Sequence, residues 1–443
     1  MKKNIILTFS LLLITGFLQA QQKWTLKQCI DYAQKNNLSI KSSELNTKSQ
    51  EIKRQQAKNQ RLPDLTGSAS QYLNYGQSMN NVGVYENKNS QSYSAGLSSS
   101  VTIFSGFQVK NAIDAQNFTL LASIEDLNKA KESMAVSIAS GYLQVLYNKE
   151  MYQIALDQVK LSDTEVVRYE NMASLGKIPE GQVYETRAQL AQDKLSATQS
   201  RSNLQLSLLD LSQLLDLKDW SNFDIVVPEF DMASLGLNIS SANEVYNYAV
   251  GNKSIVKASE YRLKSSEKSL KVTEGALYPK LYLGANYSNG YYPDMKNTNN
   301  SKTSFSDQMS INARTAIGFS LSIPIFNRFD TKNNIKLSKI SVENAKLELE
   351  NTKMALYKEI QQAWFNATTA LAKYQASIEA IKNTEEAFRF AEEKFNNGRA
   401  TIYEYNEAKM KLVTAKSNQL QAKYNYLFSV KILDFYKGEN LQL

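Results

Sequence analysis

Histidine is absent from the 443-residue chain, which removes His-based catalytic triads and His metal sites at once. Cysteine occurs once, as Cys29 in the helical pattern LKQCIDYA, so no intrachain disulfide can form and folding does not depend on oxidation. Proline and glycine are scarce, at 6 and 17, which favours long uninterrupted elements over a loop-rich fold. Past the N-terminus no window approaches 18 consecutive apolar residues, so a transmembrane helix is excluded. The Gly176-Lys177 pair is not a phosphate loop, because Asn171 holds the first glycine position and Ile178 replaces the Ser or Thr. Acidic pairs fall on charged helical faces, where solvation is the default. The sequence therefore offers no catalytic residues, no cofactor-binding set and no metal site, and an outer membrane hydrolase would need eight or more strands of its own.

What is present begins with an export signal. Residues 1–20 carry Lys2 and Lys3, an apolar core and the small-residue end LQA, as in a secretory signal cleaved after Ala20. Gln21 follows, where a lipoprotein would need cysteine. Removing the two signal lysines from 51 basic residues, against 43 acidic ones, leaves a net charge of +6. Both signs are interspersed along helical faces, which argues against a nucleic-acid partner.

The remainder is written twice. At an offset of 216, residues 29–53 align with 245–269: Tyr32, Ala33, Ser43, Glu44 and Pro63 match Tyr248, Ala249, Ser259, Glu260 and Pro279. At an offset of 222, Ile103, Phe104, Phe107, Asn111, Ile113, Gly176 and Glu185 match Ile325, Phe326, Phe329, Asn333, Ile335, Gly398 and Glu407. A constant register over such a length marks a duplication. The repeats are expected at 21–216 and 241–437, joined by a linker at 217–240 and followed by a tail at 438–443. Each reads helix, two strands, long helix, turn, helix. The first helix, about Leu26 to Arg61, is expected to stop before Pro63, and its counterpart before Pro279, because the residue before proline is pushed to extended geometry. The long helices are expected at about Gln108 to Met172 and Asp330 to Asn396. At ~1.5 Å per residue each spans roughly 100 Å, and a helix that long survives only by packing along its length.

The packing face is a coiled-coil seam with 4-3 spacing: Ile360, Trp364, Ala367, Leu371, Tyr374, Ile378, Ile381 and Phe388. Its first-copy equivalents are Ile138, Tyr142, Val145, Lys149, Tyr152, Leu156, Val159 and Val166, with Lys149 the one dissenter.

Strands are expected within about 64–104 and 280–326. YSAGLSSSVTIF puts Tyr93, Ala95, Leu97, Ser99, Val101 and Ile103 on one face and Ser94, Gly96, Ser98, Ser100 and Thr102 on the other. The later strand sets Ile317, Phe319, Leu321, Ile323 and Ile325 against Gly318, Ser320, Ser322 and Pro324; a third sets Leu281, Leu283, Ala285 and Tyr287 against Tyr282, Gly284 and Asn286. In LTGSASQYLNY the pattern is weaker, with Leu65, Ala69, Leu73 and Tyr75 diluted by Gly67 and Gln71. A soluble half-buried sheet and a membrane barrel both alternate in this way. The Gly, Ser and Thr face suits a wet lumen and favours the barrel. Four strands cannot close a barrel, and an open edge in lipid leaves backbone groups unsatisfied. Several copies must then share one wall, and three would supply twelve strands. The expected class is mainly α with a four-strand β contribution.

These features together resemble the TolC-type outer membrane factor family: the tandem repeat, the Pro63, Pro279 and Pro324 junctions between strand and helix, SIPIF leading into a long helix, and the turns SLGKIPEGQVYE and NNGRATIYEYNEA. The resemblance implies a homotrimer with a twelve-stranded transmembrane barrel and a periplasmic helical barrel. It implies an exit duct for efflux or type I secretion, partnered by a periplasmic adaptor (a membrane fusion protein) and an inner-membrane pump of RND or ABC type. It places adaptor docking at Gly176, Lys177, Ile178, Gly398, Arg399 and Ala400, and an acidic ring at the tunnel entrance at Glu404 and Glu407. Arg399 stands one position from the family's gating cation and Ala400 takes its slot, so the closed-state latch is built differently here. The competing reading is a non-transporting trimeric coiled-coil spacer or adhesin.

Overall fold

The computed structural model describes residues 23–79, 83–87, 89–228, 239–299, 301–439 and 441. The signal segment and residues 229–238 of the expected linker lie outside them.

The repeat organises the helices residue for residue. The first copy contributes α1 (Leu26–Asn36), α2 (Leu38–Asn59), α3 (Gln108–Ser174) and α4 (Glu180–Leu214). The second contributes α5 (Ala242–Asn252), α6 (Ser254–Gly275), α8 (Asp330–Asn396) and α9 (Ile402–Tyr436). Equivalent helices have equal lengths of 11, 22, 67 and 35 residues. Between them come β1 (Thr66–Asn74), β2 (Gln77–Met79), β3 (Tyr85–Asn87), β4 (Ser90–Ser105), β5 (Lys280–Tyr291), a short helix α7 (Phe305–Ile311) and β6 (Arg314–Ser322).

The expected single first helix is two helices in each copy. Asn37 and Lys253 adopt extended geometry (φ −62°, ψ 131° and φ −70°, ψ 134°), each still donating its N–H to the carbonyl of Ala33 or Ala249. Asn37 restarts the helix by accepting from the N–H groups of Ser39 and Ile40, and its amide donates to the Leu214 carbonyl. A short polar side chain that bonds the backbone two and three residues ahead favours a helix start over a helix interior.

By internal contacts the chain divides into two compact units. The first comprises residues up to Leu45, Glu125–Lys257 and Glu350 onward. Its core packs Leu26, Cys29 and Ala33 of α1 against Ile138, Tyr142, Val145 and Leu146 of α3, Leu211 of α4 and Leu420, Tyr424 and Leu427 of α9. Ile225 joins this core through a parallel bridge to Trp24, and the Tyr142 hydroxyl donates to the Val226 carbonyl at 2.6 Å. Lys149, the dissenter on the seam, reaches sideways to Asp224 at 2.7 Å. The seam is therefore interrupted where the connecting segment crosses it, and the charge is paired instead of buried alone.

The second unit comprises Asn46–Ile124 and Ala258–Leu349. It holds an antiparallel sheet in the order β1-β4-β5-β6. The segments joining β1 to β4 and β5 to β6 carry short elements of their own. The first contains the β2-β3 ribbon, paired from Gln77 with Asn87 to Met79 with Tyr85, and the second contains α7. Pairing on β6 ends at Ser322, so Ile323 and Ile325, expected on the strand, lie beyond it. Pro324 has no N–H to continue a ladder.

Candidate functional site

Strand register decides which residues share a face. Leu97 stands opposite Gly67 and Tyr287, Ala95 opposite Ala69 and Asn289, and Val101 opposite Leu283. Leu283 stands opposite Phe319, Ala285 opposite Ile317 and Leu281 opposite Leu321. One face across all four strands therefore carries mostly Leu, Ile, Phe, Val, Ala and Tyr, with Gly67, Gln71, Ser99, Asn289 and Thr315 among them. The other gathers Ser68, Ser70, Ser94, Gly96, Ser98, Ser100, Gly284, Asn286, Gly318 and Ser320. A register shift between Thr102 and Phe104 leaves Ile103 unpaired and sets Phe104 opposite Leu281. Phe104 thus takes the apolar place expected for Ile103, because a bulge moves every later side chain to the other face. Ile317 and Phe319 are 74% and 72% exposed, on a continuous apolar surface larger than isolated surface residues produce.

Strand passes to helix by the same device in both copies. Gly106 and Phe107 have φ of 62° and 61°; their equivalents Arg328 and Phe329 have 55° and 64°. Two successive left-handed residues turn the chain from extended to helical. Phe107 then starts α3 by accepting from Asn111 (3.0 Å), as Phe329 starts α8 by accepting from Asn333 (2.9 Å). Each turn is braced by an edge-to-face ring pair, Phe104 with Phe107 and Phe326 with Phe329. This is the local meaning of the repeated IFxxF. Glycine is required at 106, where a Cβ would lie 2.3 Å from the Gly275 carbonyl oxygen.

The helix-ending turns are also twins. Gly176 (φ 68°) donates to Ala173 and Lys177 to Met172; Gly398 (φ 67°) donates to Phe395 and Arg399 to Lys394. This is the Schellman arrangement, and positive φ explains the glycines without reference to a partner. Thr401 then caps α9. Its hydroxyl accepts from the Glu404 N–H, and the Glu404 carboxylate accepts from the Thr401 N–H (2.7 Å) and hydroxyl (3.0 Å). Those two hydrogen bonds hold the Glu404 carboxyl below its ordinary value. Glu407, one turn on, pairs with Lys411 at 2.7 Å. Thus Glu404 and Glu407 share one helix end, and each already has a local partner.

Sequence reasoning missed what lies behind these turns. Lys409 on α9 is 3% exposed. Its ammonium sits 3.6 Å from Glu165 of α3 and 3.5 Å from Asp193 of α4, and donates to the Ser162 hydroxyl at 2.6 Å. Ser162 donates to Asp193, Gln189 donates to the other Asp193 oxygen at 2.9 Å, and the Tyr405 hydroxyl donates to Glu165. Burial and the neighbouring carboxylate push the Tyr405 phenol up, so it remains a donor. Three helices are joined through one buried cation. The duplication carried a faint signal: the equivalent of Lys409 is Arg187, which pairs with Glu170 on its own hairpin at 2.6 Å and stays exposed.

The fold is that of solved outer membrane channels. The chain superposes on the crystal structure of the Campylobacter jejuni CmeC outer membrane channel with a TM-score of 0.77 at 19% identity, over 96% of this chain and 88% of that one. A family model described as outer membrane efflux protein matches residues 29–216 and 245–439, and the chain belongs to that family. Similar relatives include toxin and drug export protein A of Aggregatibacter actinomycetemcomitans, 21% identical over 76% of this chain and 70% of that protein. Another is the pyoverdine export outer membrane protein OpmQ of Pseudomonas putida, 24% identical over 77% and 69% respectively.

Proposed function

We propose that the protein is the outer membrane exit duct of a tripartite efflux or type I secretion system. The observation that carries this reading is the sheet: one apolar face across four strands, one Gly/Ser/Thr face, and edge strands β1 and β6 each paired on a single side among the described residues. A lipid-facing sheet cannot end in open edges, because unpaired backbone groups have no partner in hydrocarbon. Three copies joined β6 to β1 give a twelve-stranded barrel whose lumen is lined by the polar face.

In this mechanism the protein performs no chemistry. The pump supplies energy, and the adaptor docks at the turns formed by Gly176, Lys177 and Ile178 and by Gly398, Arg399 and Ala400. Opening separates the helix ends, and cargo passes through the lumen. Repeated three times, Glu404 and Glu407 set six carboxylates near the axis, a field that favours cations. The capping bond of Glu404 leaves its charge in place, so both roles are compatible.

The test is single-channel conductance of the purified protein in a planar bilayer. A cation-selective pore is expected, with Glu404→Gln plus Glu407→Gln weakening that selectivity. Unchanged selectivity would remove the acidic ring. A water-soluble trimer with no conductance would remove the duct and leave the spacer or adhesin.

A further inference from the structure

Helix α7 lies on the apolar face of the sheet, at the end remote from where β5 receives the chain from α6. Three contacts fix the side. The Phe305 ring meets Tyr291 edge to face, with centroids 5.2 Å apart. The Asn289 amide donates to the Met309 carbonyl at 2.7 Å. Both Asn289 and Tyr291 belong to the face of Leu281, Leu283 and Ala285 by strand alternation. On the next strand, Tyr93 stacks against Tyr291.

The helix is fastened tightly for a loop segment. Gln308 is fully buried, accepting from the Tyr292 N–H (2.8 Å) and donating to the carbonyls of Tyr292 and Thr303 (3.0 Å each). Asn312 donates to the Gly290 carbonyl at 2.7 Å. The amides of Gln308 and Asn312 are thus matched internally where the segment overhangs the sheet, while Ser306, Asp307 and Ser310 are exposed. Beneath the overhang a cavity of about 460 Å³ is bounded on one part by Ala69, Tyr93, Ala95, Tyr291, Phe305 and Met309, and on the rest by Ser70, Gln71, Ser94, Asn289 and Gly290. That volume is in the range of small-ligand sites. Beside it Phe305 and Ile311 remain 60% and 63% exposed.

We propose that this groove seats an acyl chain of a bilayer lipid, with α7 lying in the membrane interface and Phe305 and Ile311 immersed in it. The inference rests on the reading of the apolar face as the lipid-facing wall, with which the groove is continuous. Cargo is not the occupant, because α7, which roofs the groove, packs on the apolar face through Tyr291 and Asn289. Tyr93, Tyr287 and Tyr291 cluster at this end of that face, as amphipathic rings do at a membrane boundary.

The experiment uses the full-length protein in phosphatidylcholine vesicles with a nitroxide label at Met309→Cys, at Phe305→Cys in parallel, and at Phe319→Cys in mid-sheet. Cys29 needs no replacement: it is fully buried, and burial pushes its thiol up to about 12, so it does not compete for label. Labels at 305 and 309 are expected to collide with oxygen several-fold more often, relative to a nickel chelate, than a label at Lys411→Cys on an exposed helix face. Nickel access at 305 and 309 with a lipid-like 319 overturns the acyl site and leaves the duct standing. Shielding of 309 from both reagents means the groove closes on itself, which also overturns the site. Nickel access at 319 removes the lipid-facing wall, and the acyl site with it.

Discussion

Lys409→Met is the substitution for which the structure gives the sharpest expectation. Methionine keeps the length and apolar stem of lysine, so packing between α3, α4 and α9 is nearly preserved. What is lost is the one cation facing Glu165 and Asp193, whose side chains are 15% and 11% exposed. Breaking a buried pair by removing one partner costs roughly 3–5 kcal/mol. The residual exposure of both carboxylates, and the donors Tyr405, Ser162 and Gln189 that remain, reduce this to about 2–4 kcal/mol. Because the whole assembly need not unfold reversibly, the useful quantity is local opening, read by hydrogen–deuterium exchange of the amides around 162–169, 189–193 and 402–412. At 1.36 kcal/mol per tenfold, exchange there should rise by roughly 30- to 900-fold. Adding Glu165→Gln and Asp193→Asn should recover most of that loss, since neutral partners leave no orphaned charge. Exchange in Lys409→Met within a few-fold of wild type would refute the reasoning. So would a triple variant as labile as the single one, which would point to packing instead of charge.

Two further outcomes are expected. Arg328→Gly relieves a left-handed residue that carries a side chain, and should stabilise the β6-α8 junction by up to about 1 kcal/mol after the entropy of the added glycine. Gly106→Ala at the equivalent place should instead destabilise, since its Cβ meets a carbonyl oxygen at 2.3 Å; exchange at 106–111 and 328–333 separates the two. The α9 start should depend on acid: the Glu404 carboxyl is held below 4.5, so its contribution is complete above that pH and is lost as pH falls through the lowered value. Amides at 401–405 should therefore exchange faster at low pH than intrinsic rates require, and Glu404→Gln should abolish that excess.

The sequence made the long elements legible for a simple reason. A helix of 67 residues with no proline, and with one interior glycine in α3 and none in α8, has few places to end, and the expected bounds lie within two residues on α3 and coincide on α8. Strand faces were legible because period-two alternation survives any register that pairs apolar with apolar. What alternation cannot show is an inserted residue, so Ile103 was assigned a face that Phe104 holds. Local backbone capture was also hidden. Asn37 breaks a helix by bonding two N–H groups ahead, while Lys253 makes the same break carrying a different side chain, with its ammonium 3.3 Å from the centre of the Phe435 ring. The Lys409 network was invisible because its members lie on three helices and look, one at a time, like solvated helical charges.

Those same places show what the duplication preserved and what it released. Equal helix lengths and paired left-handed turns keep the two copies in step along the chain. The side chains at equivalent positions then part company: Gly106 against Arg328, Asn37 against Lys253, Arg187 against Lys409. Asn37 bonds the backbone where Lys253 lies over the Phe435 ring, and Arg187 stays exposed where Lys409 is buried, whereas Gly106 and Arg328 share only their left-handed backbone. Arg187 ties α4 to α3 within a hairpin, whereas Lys409 ties α9 to both helices of the other hairpin. Two identical hairpins would have no preference for which α3 and α4 each α9 meets. Placing Lys409 at this position of the second half makes the pairing of α9 with α3 and α4 the arrangement in which its buried ammonium meets two carboxylates, and so favours that pairing over the equivalent one.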